Sequence, residues 1–230
     1  MKGLKLIGFL AIFCLFAIST VSAKNTEKIL VAFVQIGQYY GGDEKVDWLI
    51  PLLIYQKGRY QSCYQELERI FNDKKRKNQT KRSEEEAAIF LRPFQENKFY
   101  LYQKGRIVGE FKTSGSMDFD LPDGIGFPGK ISWKIPRPRM GKEGFFTKAI
   151  GLNRLVDQPL WSKAVLTKEQ YQELKKKEGK FNYYPVDIDG DGIAEFILER
   201  IIGPSKWEHY LYLIEKEKPV KILCLGEGGL

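Results

Sequence analysis

Four acidic residues fall within one short stretch, Asp187-Ile188-Asp189-Gly190-Asp191-Gly192-Ile193-Ala194-Glu195. Carboxylates this crowded repel one another unless a cation sits between them. Alternate spacing lets a tightly curled backbone aim Asp187, Asp189 and Asp191 inward, and Gly190 and Gly192 permit the positive φ that such a curl requires. Every available ligand atom is a hard oxygen. That suits calcium, which takes roughly six to eight oxygens at about 2.3–2.6 Å. The expected ligands are the side chains of Asp187, Asp189, Asp191 and Glu195 and the carbonyl of Ile193, and the expected cofactor is structural calcium. Asp/Gly turns are common between strands, but seldom carry acids at this spacing. An EF-hand does not fit: its last ligand position falls on Leu198, and Phe196-Ile197-Leu198 reads as strand rather than helix.

Other chemistry is sparser. His209 is the only histidine, so any histidine-dependent catalysis must pass through it, and a multi-histidine zinc site is excluded. Its setting, Trp207-Glu208-His209-Tyr210-Leu211, reads as the start of a strand with His209 at a surface position. Asp118, Asp120 and Asp123 lie in a loop-rich region, residues 114–161, where paired carboxylates could serve an envelope hydrolase. Lys74, Lys75, Arg76, Lys77, Lys81 and Arg82 form a basic connector. Its functional reading is polyanion binding, for instance to anionic lipid, and its plainer reading is a solvated linker. Tyr39-Tyr40 and Tyr183-Tyr184 are candidates for an aromatic binding face.

The elements that must position these groups are mostly strands. Residues 29–36 are apolar and β-branched, as in a buried strand. Residues 48–55 are similar, with Pro51 favouring an edge or a bulge. The sequence Tyr-Gln-Lys-Gly-Arg occurs twice, at residues 55–59 and 102–106, each time as a turn between two strands, and at the second the flanks alternate and read as the clearest hairpin. Residues 61–72 read as a helix with Tyr64, Leu67 and Phe71 on one face. A capping box at Ser83-Glu84-Glu85-Glu86 is expected to open a second helix that stops before Pro93, and one at Thr167-Lys168-Glu169-Gln170 to open a third that runs to Gly179. Residues 114–161 read as long loops around one or two strands, the best of them at 131–135. Strands return at 181–186, 193–201, 208–215 and 220–225. The sum is an α+β fold, mainly antiparallel β-hairpins with two or three short helices.

The chain opens with Lys2 and Lys5, an apolar run over residues 6–18, and Ser19-Thr20-Val21-Ser22-Ala23. Basic, apolar and small residues in that order form a secretory signal, so residues 1–23 are expected to be removed. Residues 24–230 then make a single extracytoplasmic domain, periplasmic or secreted. Removing Lys2 and Lys5 with the signal lowers the net charge from +8 to +6, a modest pull toward anionic surfaces. Cys63 and Cys224 remain after cleavage, an even pair that an oxidising compartment could join or that could stay as two thiols.

The acidic loop and the strands after it resemble the calcium-binding repeats of FG-GAP, VCBS and integrin-type β-propellers. Asp187, Asp189, Asp191, Gly192 and Glu195 match the loop of those repeats, and Phe196-Ile197-Leu198 and Tyr210-Leu211-Tyr212-Leu213 match the strands that follow it. The resemblance covers one repeat, at about residues 181–215. It implies structural calcium and an interaction surface in place of catalysis. No second copy of the loop is visible, so a complete propeller is not expected. The role that follows is a non-enzymatic binding or assembly protein of the cell envelope, with an unknown envelope protein or glycan as partner.

Overall fold

The computed structural model describes residues 28–39, 45–72, 80–103, 106–121, 124–136, 147–155, 166–191, 193, 195–203 and 206–229. Residues 1–23, the basic cluster at residues 74–77, Asp123 and Tyr40 lie outside them. Strands β1 (Ile29–Tyr39), β2 (Lys45–Gln56), β8 (Thr147–Leu152), β4 (Phe99–Gln103), β5 (Arg106–Thr113) and β7 (Gly124–Trp133) pair in the order β2-β1-β8-β4-β5-β7. β7 then pairs back onto β2 through Asp47–Gly129, Trp48–Pro128 and Leu49–Phe127, closing a six-stranded antiparallel barrel. β3 (Arg59–Ser62) and β6 (Asp118–Leu121) extend β2 and β7. Gly129 sits where the barrel closes: a Cβ there would come within 2.2 Å of the Phe111 ring, so only glycine fits.

Alternation along β1 divides the core. Leu30, Ala32, Val34 and Ile36 join Val108, Phe111 and Phe127 from across the barrel, so they point inward. Ile29, Val31 and Phe33 point outward and meet Val186, Ile197, Leu211 and Leu225. Those residues belong to a four-stranded antiparallel sheet of β9 (Lys180–Val186), β10 (Glu195–Ile201), β11 (Lys206–Glu215) and β12 (Lys218–Gly229). The opposite face of this sheet, with Phe196, Leu198 and Tyr212, is covered by Leu174 and Tyr171 of the helix Lys168–Glu178. The fold is α+β and mainly antiparallel, as the hairpin pattern implies, and it is not a propeller.

Among the described residues the helices are α1 (Cys63–Asn72), α2 (Thr80–Glu96) and α3 (Lys168–Glu178). α3 follows its sequence signal: Thr167 is the N-cap, the capping box with Gln170 forms in both directions, and Gly179 ends the helix at φ +77°. α2 does not. It begins at Thr80, which puts Lys81 and Arg82 in its first turn, and Ser83 is buried inside it with its hydroxyl donating to the Ile70 carbonyl at 3.4 Å. It also runs through Pro93, because Leu91 and Phe94 bury completely on either side of the proline. Burying Phe94 is worth about 1.5–3 kcal/mol, comparable with the roughly 3 kcal/mol that an interior proline costs. α1 starts later than expected, after β3, and its buried face is Cys63 and Ile70, while Phe71 is 41% exposed.

Pro51 marks an irregularity, as its ring requires. The register shifts between Val31 and Ala32 at this point, and Pro51 falls between the β7-paired and β3-paired stretches of β2. In the loop-rich region three strands form, β6, β7 and β8, more than the sequence suggested. Both Tyr-Gln-Lys-Gly-Arg segments join paired strands, and at the first of them Lys57 and Gly58 take φ of 53° and 76°.

Candidate functional site

The acidic loop joins β9 to β10, and the Val186–Glu195 pair closes its base. Ile188 is fully buried in the core between sheet and barrel, anchoring the loop so that Asp187 is only 1% exposed. Each acid then accepts a main-chain N–H just ahead of it: Asp187 from Gly190 at 2.7 Å, Asp189 from Asp191 at 3.0 Å and Asp191 from Ile193 at 2.7 Å. These local bonds curl the chain, and Gly190 supplies the left-handed residue at φ +78°.

One carboxylate oxygen from each of Asp187, Asp189 and Asp191 lies within 4.8 Å of the others. Oxygens that share one calcium at about 2.3–2.6 Å can be at most roughly 5 Å apart, so the three acids fit such an ion. Glu195 is placed differently. Its carboxylate accepts the Ile188 N–H at 2.7 Å and the Tyr60 hydroxyl at 3.0 Å, bracing the loop from below. Burial, reinforced by the Asp189 charge and opposed by the Ile188 N–H, pushes the Glu195 carboxyl up to about 7. Burial raises that of Asp189 as well. Ile193 is 62% exposed.

A second polar cluster lies between barrel and sheet. Glu199 on β10 accepts four hydrogen bonds: Oε1 takes Lys148 Nζ and, at 3.2 Å, His209 Nε2, while Oε2 takes Asn182 at 2.9 Å and the Tyr184 hydroxyl at 3.1 Å. Burial alone would raise its carboxyl, but the His209 hydrogen bond and the Lys148 charge outweigh that and hold it well below the usual carboxylate range. His209 is 4% exposed, packed edge-on to Phe33 and beside the Trp207 ring. The surface position expected for it is therefore wrong. β11 pairs His209 directly opposite Glu199, and the carboxylate satisfies the buried imidazole.

Two clefts flank this cluster. One, of about 260 Å³, is bordered by Trp207, His209 and α1. The other, of about 560 Å³, is bordered by Lys148, Asn182 and Tyr184, with Tyr183 beside them. The Tyr183-Tyr184 pair thus does line a concavity. Tyr102 and Tyr212 are core residues.

The other sequence candidates lie partly outside the described residues. Asp118 opens β6 and Asp120 lies within it, with the side chain of Asp120 and all of Asp123 outside the described residues. Lys81 and Arg82 are exposed on α2. Cys63 and Cys224 are free thiols, the first fully buried and the second half-buried. Sequence reasoning missed the Glu199 cluster and the Tyr60 brace. The one available signal for the cluster was a glutamate at an inward position of the apolar strand β10.

The fold and site define a barrel-and-sheet protein with an acidic loop at the head of a four-stranded meander. No protein-family model, curated protein or solved structure matches the chain.

Proposed function

We propose that this is an exported, non-enzymatic binding or assembly protein of the cell envelope, periplasmic or secreted, in which calcium staples the loop between β9 and β10. The observation that carries this reading is the convergence of the Asp187, Asp189 and Asp191 carboxylates to within 4.8 Å. The likeness of the loop to the FG-GAP and VCBS calcium repeats supports it, as do the apolar β10 and the aromatic-bearing β11 that follow the loop. Residues 1–23 supply the export signal.

Asp187, Asp189 and Asp191 hold the ion, joined by the Ile193 carbonyl and by Glu195 once its carboxylate turns from Tyr60. The bound ion neutralises three neighbouring charges and fixes the end of β9. Extracellular calcium sites commonly sit near 0.1–1 mM. At about 1 mM calcium and a Kd of about 0.1 mM, the linkage is roughly 1.4 kcal/mol, enough to rigidify a loop but too little to hold the fold together.

The test is thermal unfolding in chelator, in millimolar calcium and in millimolar magnesium. A Tm several degrees higher in calcium alone, lost in the Asp189→Asn/Asp191→Asn double variant, is the expected result. An equal response in the double variant would sink the assignment.

A further inference from the structure

From the larger cleft we infer a saccharide site, which rests on the reading of this chain as an envelope binding protein and names its ligand class: an uncharged, gluco-configured sugar. The cleft is of about 560 Å³, within the range of small-ligand sites. Its walls come from β4, β8, α3 and β9, and five of its residues are aromatic: Tyr102, Tyr171, Phe181, Tyr183 and Tyr184.

Two of these rings are fixed from behind. The Tyr184 hydroxyl donates to Glu199 at 3.1 Å and the Tyr102 hydroxyl to the Arg154 carbonyl at 3.4 Å. Tyr171, Phe181 and Tyr183 pack on one another at centroid distances of 5.2–6.5 Å. Tyr102 and Phe181 are buried and form the floor, so the ring area open to a ligand is that of the half-buried Tyr171, Tyr183 and Tyr184, held with little side-chain entropy left to lose on binding.

The polar groups narrow the ligand further. Among the described residues the only charged one in the lining is Lys148, and its ammonium is neutralised by Glu199, with both side chains largely buried (13% and 9% exposed). Those residues therefore offer an anion or a cation no uncompensated partner. What remains is amide chemistry. Gln103 is half-buried, and Asn182 uses one amide hydrogen on Glu199, leaving its carbonyl oxygen and its second hydrogen available to a ligand. Flat aromatic faces beside carboxamides match a pyranose, whose axial C–H bonds form an apolar face and whose ring edge carries hydroxyls. All-equatorial gluco sugars present the flattest such face. A peptide strand is the other occupant considered, since among the described residues β9 pairs with β10 alone; Pro185 within β9 removes one main-chain donor and disfavours it.

The test is calorimetric titration of the full chain, in millimolar calcium, with cellobiose, with N,N′-diacetylchitobiose and with an uncharged pentapeptide. Saturable binding of either disaccharide is expected with a Kd of about 1 mM or below. Tyr183→Leu, which keeps apolar bulk but removes the ring, and Gln103→Ala should each weaken it about tenfold. Heats of dilution alone for both sugars, affinities that ignore both variants, or binding of the peptide in place of the sugars would overturn the inference. A sample that still melts higher in calcium yet binds neither disaccharide overturns the saccharide site alone; loss of the calcium response with sugar binding retained does the reverse.

Discussion

Arg154 donates from a terminal guanidinium nitrogen to the carbonyl of Ile188 at 2.8 Å, tying the end of β8 to the acidic loop. The same guanidinium lies against Gly190, where a Cβ would come within 2.8 Å of it. A fixed cation therefore leans on a loop that reads as a cation site. It relieves the mutual repulsion of the acids in the ion-free protein and opposes a calcium ion by the same field.

Arg154→Met should then separate the two effects. In chelator the variant should unfold at lower temperature, by about 1–2 kcal/mol for a lost hydrogen bond from a charged donor. In calcium the gap should narrow, because the competing charge is gone and the ion binds more tightly. Melting curves over a calcium titration measure both, and an unchanged calcium midpoint would show that Arg154 has no electrostatic hold on the loop.

Gly190 offers an independent probe of the same curl. Its φ of +78° is in the left-handed region, and a methyl group there would push the Arg154 guanidinium aside. Gly190→Ala should cost about 1–2 kcal/mol from backbone strain and should weaken calcium along with it. Stability equal to the parent protein in chelator would mean that the loop relaxes without penalty.

The buried Glu199 gives the fold a pH dependence with a defined sign. Its carboxyl is held below the ordinary range in the folded protein, so the unfolded chain binds the proton more readily. Its contribution is present above the unfolded carboxylate value, about 4.3, and fades as pH falls below it. Glu199→Gln removes the negative charge that balances Lys148 and leaves one acceptor oxygen where four donors converge. It should cost about 3 kcal/mol at neutral pH, with the difference from the parent shrinking as the solution is acidified below pH about 4. Chemical denaturation across pH is the measurement, and a constant difference at every pH would contradict this account.

Where local chemistry decides structure, the sequence was readable. Thr167 and Gln170 cap each other across one turn, and α3 forms where they say. Pro51 could sit only at an irregularity, and does. Ser83 carries the same capping spelling and is misleading, because tertiary packing against Ile70 decides that position and the helix begins earlier. The spacing of Asp187, Asp189 and Asp191 foretold their convergence, since a curl of a few residues is a local matter. The Glu199 cluster draws on β8, β9, β10 and β11, and the Tyr60 brace spans 135 residues of chain. Contacts of that range depend on how barrel and sheet meet, which no local pattern encodes.

Glu195 is the residue for which ligand and brace roles give different outcomes. It holds the Ile188 N–H and the Tyr60 hydroxyl, and its side chain is buried. Glu195→Gln keeps an acceptor for either donor but lacks the charge that calcium needs, whereas Tyr60→Phe removes one brace and leaves the charge. If Glu195 also turns to the ion, Glu195→Gln should lose most of the calcium-induced rise in Tm while changing the chelator Tm little. Tyr60→Phe should lower the chelator Tm, by about 1 kcal/mol for one hydrogen bond, and bind calcium at least as well because the carboxylate is freer to turn. A full calcium response in Glu195→Gln would confine the site to Asp187, Asp189 and Asp191 and leave Glu195 as the brace alone.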